Sequence, residues 1–152
     1  MNIVKPPKRV TFGEQKTIFL AGSIDNGAAK DWQASVIKSL SKIDVCILNP
    51  RRNEWNASWE QSISNPIFKE QVTWELNGLE QADVVVFNFL KDSQAPISLM
   101  ELGICSKKDN VVVCCEEGFW RRGNIEVVCD TFDIPLVNSI DQAIPLVREL
   151  LV

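Results

Sequence analysis

Histidine and tyrosine are both missing from the 152 residues. The first absence removes the usual general base of a Ser or Cys triad and the side chain that most readily shuttles protons near neutral pH. Acid–base or nucleophilic chemistry must then fall to Asp, Glu, Lys or Cys. With no C-x-x-C spacing either, the missing histidines argue against a zinc site, and no metal is expected. The five cysteines (Cys46, Cys105, Cys114, Cys115 and Cys129) are odd in number and mostly lie within apolar stretches, which reads as reduced, buried packing residues. Neither G-x-G-x-x-G nor G-x-x-x-x-G-K-[ST] occurs, so nothing marks a dinucleotide or P-loop site and no organic cofactor is expected.

Charge and hydropathy exclude further classes. Sixteen basic against twenty acidic residues give a net charge of −4, with no Lys/Arg block to track a phosphate backbone, so a nucleic-acid polymer is not an expected partner. No apolar run approaches the roughly 20 residues that cross a bilayer, so no membrane is expected. The opening "MNIVKPPKRV" is charged and proline-rich, unlike a signal peptide, and the expected location is cytoplasmic. The length suits one domain over residues 1–152, with 1–16 as an N-terminal extension.

What is present is a recurring alternation. Short, nearly continuous apolar runs rich in β-branched residues stand at 17–22, 44–50, 83–89, 110–115 and 134–138, as in strands buried on both faces of a parallel sheet. Between them lie helical patterns. Residues 31–41 place Trp32, Val36, Ile37 and Leu40 on one stripe, and the segment from Asn65 to Ala82 places Phe68, Val72, Leu76 and Leu79 on another, with Asn65 as its cap and Pro66 in its first turn. Further helices are expected over 98–107, 124–131 and 140–151. The pattern predicts an α/β three-layer sandwich, Rossmann- or flavodoxin-like, with about five mostly parallel strands and helices on both faces. In such sheets ligands lie beyond the carboxyl ends of the strands, near the point where strand order reverses. The loops after Leu20 and Phe89 are therefore the places to search, together with the long polar loop "NPRRNEWNASWEQSISNP" over 49–66.

Two glutamates stand out. Ser98 and Glu101 have the S-x-x-E spacing of a capping box, yet Glu101 would also lie in the first turn of a helix at the carboxyl edge of the sheet. There the helix dipole favours an ionised, nucleophilic carboxylate. Glu75 falls on the edge of the inward face of its helix, either as a rim residue with its head in water or as the partner of Glu101 in a carboxylate pair. The small residues of "AGSIDNG" allow close backbone approach to a sugar or phosphate, or simply form a tight turn. Trp55 could stack on a planar ligand or anchor its loop, and Arg121 and Arg122 could hold a phosphate or face solvent. Asp83 is read as ending a helix.

The stretches "TIFLAGSI", "WELNGLEQADVVVFNF" and "ISLMELGICS", with "NPRRNEW", the Q-x-x-W-E of Gln71 to Glu75 and "EEGFWRRGN", resemble the nucleoside 2-deoxyribosyltransferase superfamily, and most its nucleoside 2-deoxyribosyltransferase-like branch. The resemblance runs from Thr17 onward. It implies that Glu101 is the nucleophile that attacks the anomeric carbon, and that Glu75, 26 residues earlier, positions it and the sugar. Gly22, Ser23, Asp25, Trp55, Asn88 and Ser98 are the expected substrate-binding residues beside them. The implied chemistry is double displacement through a deoxyribosyl ester of Glu101, exchanging nucleobases on a nucleoside or nucleotide without cofactor, in a homodimer or larger homo-oligomer. Two positions depart from the family pattern: Phe19 where many members have tyrosine, and Ala95 where bacterial members carry an acid that contacts the base. Two alternatives accompany the transferase. One is a 5′-monophosphate N-glycoside hydrolase that grips phosphate with Ser23, Ser98, Arg121 or Arg122. The other is a binding module without turnover. In all three, Ser98 is expected to cap its helix while Glu101 faces the crevice.

Overall fold

The β-branched runs form the strands that their composition suggests. A computed structural model describes residues 1–152 as six strands and five helices: β1 (Asn2–Val4), β2 (Thr17–Gly22), β3 (Cys46–Leu48), β4 (Val84–Phe89), β5 (Val111–Cys115) and β6 (Leu136–Val137), with α1 (Trp32–Ser39), α2 (Pro66–Gln81), α3 (Pro96–Cys105), α4 (Arg122–Thr131) and α5 (Ile140–Leu150). The sheet order is β1-β3-β2-β4-β5-β6 and every pairing is parallel. All residues of β2, β4 and β5 are buried, as strands covered on both faces must be.

The count of six against an expected five comes from β1. Only Val4 of its three residues is buried, so it carries no apolar run to read. It nevertheless pairs with β3, and Val10 and Phe12 pack on the core. Residues 1–16 are thus built into the domain rather than appended to it.

Strand alternation splits the core into two layers. Phe19, Ala21, Val85, Phe87 and Phe89 pack with Leu79 of α2, Leu102 and Cys105 of α3 and Ile125 of α4. Ile18, Leu20, Val84 and Val86 pack with Trp32 and Val36 of α1 and Ala143 and Val147 of α5. From β2 the chain moves outward to β3 and then returns to place β4 on β2's other side. The order therefore reverses between β2 and β4, the point beyond whose carboxyl ends such sheets bind their ligands.

At the opposite end of these strands Asp83 accepts hydrogen bonds from the Thr17 amide (2.8 Å), the Thr17 hydroxyl (3.0 Å) and the Lys16 ammonium (3.0 Å). It ties β2 to β4 rather than closing α2, whose C-cap is Ala82. No helix is long and apolar enough to cross a membrane.

Candidate active site

At the reversal point the backbones of β2 and β4 approach unusually closely. Gly22 has φ +133°, and a Cβ there would strike the backbone of Asn88, so only glycine fits. Beyond it Ser23 is fully buried; its amide donates to the Asn88 carbonyl (2.9 Å) and its hydroxyl accepts from the Leu90 amide (3.1 Å). The Ser98 hydroxyl, in the first turn of α3, donates to the Gly22 carbonyl (2.9 Å). This bond ties α3 to the end of β2 and brings Glu101, one turn further on, to the crevice side of the sheet.

Two expectations are corrected here. Pro96 opens α3 two residues before the anticipated start and Ala95, at φ 42°, is the N-cap without a side-chain bond, so Ser98 caps nothing and the capping box does not form. Glu101 therefore lies beyond the first turn, where the helix dipole does little for its charge.

What surrounds Glu101 is another carboxyl. Glu101 is only 6% exposed, and its carboxyl neighbours that of Glu75, a half-buried residue. Burial, then the neighbouring Glu75 charge, push Glu101 up to about 8. Burial raises Glu75 as well, against hydrogen bonds from Gln71 and Glu101 that favour its ionised form. Two neighbouring carboxyls that each resist ionisation favour keeping one proton between them near neutrality. Glu75 is thus no rim residue. It reaches the pair because α2 packs closely on β2: a Cβ at Gly78 would come within 2.5 Å of the Phe19 ring. The inward face of α2 runs through Gln71, Glu75, Gly78 and Leu79, whereas Leu76, assigned to the apolar stripe, is 41% exposed. Phe19, 1% exposed, packs under Gly78 and against Trp74.

Gln71 was quoted in the Q-x-x-W-E stretch but given no role from sequence. It is buried, and its Nε2 donates to Glu75 Oε1 (2.7 Å) and to the Pro50 carbonyl (3.2 Å). A Gln–Glu pair at i, i+4 is the signal that could have found it.

The 49–66 loop joins the loop that follows β2. Arg51 donates to the carbonyls of Gly27 (3.3 Å), Ala29 (2.9 Å) and Lys30 (3.2 Å). Half-buried Trp55 donates to Asn26 Oδ1 (3.2 Å) and meets Trp59 edge-on at 5.1 Å. Asp25, exposed with φ 51°, accepts from the Ser93 hydroxyl (3.0 Å). The structure therefore brings Gly22, Ser98, Glu75 and Glu101 together, with Ser23 behind Gly22 and Asp25 and Trp55 on the adjoining loops.

Asn88 is not among them. By alternation its side chain falls with Val84 and Val86 on the α1–α5 face, where its Oδ1 is buried without a partner. Of the basic pair, Arg121 is exposed and lies over the Trp120 ring (4.5 Å), whereas Arg122 bonds the Cys115 carbonyl, Asn138 and Glu126. A groove of about 370 Å³ between α3 and α4, lined by Leu99, Leu102, Trp120 and Ile125, contains neither glutamate.

All five cysteines are buried and unpaired. Burial raises every one of their thiols, Cys105 to about 11 and Cys114 to about 12, so none offers a thiolate nucleophile near neutral pH. A shared proton lets one carboxylate attack while the other carries an acidic hydrogen.

Residues 15–119, which include both glutamates and the whole crevice, match the family model described as nucleoside 2-deoxyribosyltransferase like. No curated protein matches the chain.

Proposed function

The chain belongs to the nucleoside 2-deoxyribosyltransferase-like family, and from that premise we propose that it exchanges the nucleobase of a 2-deoxynucleoside by double displacement on Glu101. The observation that carries this reading is the buried Glu101 carboxyl beside that of Glu75, near the point where strand order reverses.

In the first step the pair's proton sits on Glu75 and the Glu101 carboxylate attacks the anomeric carbon. The C–N bond breaks with its electrons on the departing base, Glu75 hands that base the proton, and an ester joins Glu101 to the sugar. In the second step a nitrogen of the acceptor base attacks the same carbon. The ester C–O bond breaks, and the acceptor's proton returns to the pair. Trp55 supplies a stacking face for the base, while Gly22, Ser23, Asp25 and Ser98 shape the crevice around the sugar. The reaction needs no metal or organic cofactor, because carboxylates supply both nucleophile and acid.

A 5′-monophosphate hydrolase has less support, since the Ser98 hydroxyl and Arg122 are engaged within the fold. A homodimer or larger assembly has a surface available in Ile97, Met100 and Ile104 of α3, each more than half exposed, and sedimentation of the purified chain checks it. Five reduced, buried thiols suit the cytoplasm.

The test is chromatography after incubation with 2-deoxynucleosides and their 5′-monophosphates, with and without a free acceptor base. A new nucleoside formed only with acceptor present is the expected result, and Glu101→Gln should lower it by about 10³-fold or more. Free base released without acceptor would make the chain a hydrolase. Ligand-dependent thermal stabilisation without any product would make it a binding module.

A further inference from the structure

Gln71 is a neutral residue, 5% exposed. Its Nε2 faces two acceptors, the Pro50 carbonyl at 3.2 Å and Glu75 Oε1 at 2.7 Å, and its Oε1 faces a donor, Arg52 Nη1 at 3.5 Å. Turning the amide over would set its oxygen against two oxygens and its NH₂ against a guanidinium, so one orientation is fixed. Arg52 is itself held by Glu54 (3.1 Å) and lies 5.8 Å from the Trp59 ring centre. A chain of contacts thus runs from the 49–66 loop through Gln71 to Glu75 and then to Glu101.

We propose that Gln71 is the positioning residue of the carboxyl pair: its locked amide aims one N–H at Glu75, sets that carboxyl's angle toward Glu101, and so decides where the shared proton rests. The inference rests on the reading of Glu101 as the nucleophile. A donor on Glu75 favours the ionised form of Glu75, which leaves the proton on Glu101 while the site is empty. The nucleophile is then capped by hydrogen in the resting protein. It is released when the proton crosses to Glu75, the carboxyl that must deliver it to the leaving base. The charged groups linked to Gln71 from the loop are Arg52, which bonds its amide oxygen, and Arg52's partner Glu54. On α3, Cys105 one turn after Glu101 stays a neutral thiol, and β2 presents the uncharged Phe19.

The experiment is a carboxyl ¹³C titration of Glu75 and Glu101, without substrate, in the full chain and in Gln71→Met, which keeps length and removes the donor. In Gln71→Met the Glu75 titration should rise by about one pH unit and that of Glu101 should fall. Turnover number should drop about tenfold or more, because a Glu75 carboxyl that has lost its aim delivers its proton poorly even though it then carries that proton more of the time; KM should change less than about threefold, and adding Gln71→Met to Glu75→Gln should cost nothing further. A merely structural glutamine would leave both titrations in place and add its loss to that of Glu75→Gln, and either result would overturn the proposal. Should Gln71→Met fail to fold, Arg52→Met unlocks the amide from its other side, and an unmoved Glu75 titration there is equally decisive. Shifted titrations in a chain without turnover on any nucleoside would support the placement of Gln71 and overturn only the catalytic reading of Glu101.

Discussion

Ser98 shows how one letter pattern can point to the wrong partner. The S-x-x-E spacing suggests a side chain turned back on its own helix, but Pro96 prefers the first helical position and moves the start two residues earlier. Ser98 then faces the sheet and donates to the Gly22 carbonyl. Pro96 was available as a signal in the sequence; the acceptor, 76 residues away, was not. The two roles differ measurably. Ser98→Ala should cost about 1–3 kcal/mol, because a buried carbonyl loses its donor, and should also reduce turnover, because α3 carries Glu101. Urea unfolding together with initial rates would check both. Unchanged activity in a destabilised protein would mean that the tether to β2 does not position the nucleophile.

Elements with a one-sided or fully buried apolar pattern were legible, and those without one were not. The five β-branched runs became β2 to β6: β2 to β5 are buried throughout, as parallel strands covered on both faces must be, while β6 at the sheet edge is half-buried. β1 offered three residues with one buried and no pattern to find. The helix α2 is the informative failure: its inward face carries Gln71 and Glu75, so a stripe drawn through apolar letters turned toward Leu76 and solvent. The polar residues on that face are the candidate site itself, which is where reading by hydrophobicity should fail. Gly78 makes the arrangement possible, since a methyl there meets the Phe19 ring at 2.5 Å. Gly78→Ala should therefore cost about 1–3 kcal/mol through overpacking and, by backing α2 away from β2, should also lower activity by separating Glu75 from Glu101. Gly103, on the outer face of α3 with nothing within 4 Å of an added Cβ, is the control. Gly103→Ala should stabilise the protein by about 0.5–1 kcal/mol from helix propensity alone, with activity retained. Denaturant midpoints and rates for the two variants, measured side by side, would separate close packing from propensity.

For the whole molecule, the pair of glutamates sets a trend of stability with pH. Glu101 titrates at about 8 in the folded protein against an ordinary 4.5, so between those values the native state keeps a proton that the unfolded chain has released. Raising pH through this window favours unfolding. The stabilising effect of holding the proton is complete below about 4.5 and is lost as pH climbs through about 8. Most carboxylate-rich proteins behave in the opposite way, gaining stability as their paired acids ionise, and with 20 Asp and Glu residues this chain has many other acids to contribute. The contribution of the pair is isolated by difference. Glu101→Gln keeps the shape, cannot ionise, and should flatten this part of the slope, leaving the variant more stable than the natural chain by on the order of 1–3 kcal/mol at pH 8 and by little at pH 4.5. Urea unfolding of both proteins across that range measures it. Parallel curves would mean that the two carboxyls do not share a proton in the folded state. Convergence at low pH and divergence at high pH, from a variant that has lost its activity, would indicate that the protein is less stable for carrying its nucleophile, the exchange expected where a buried charge is kept for chemistry.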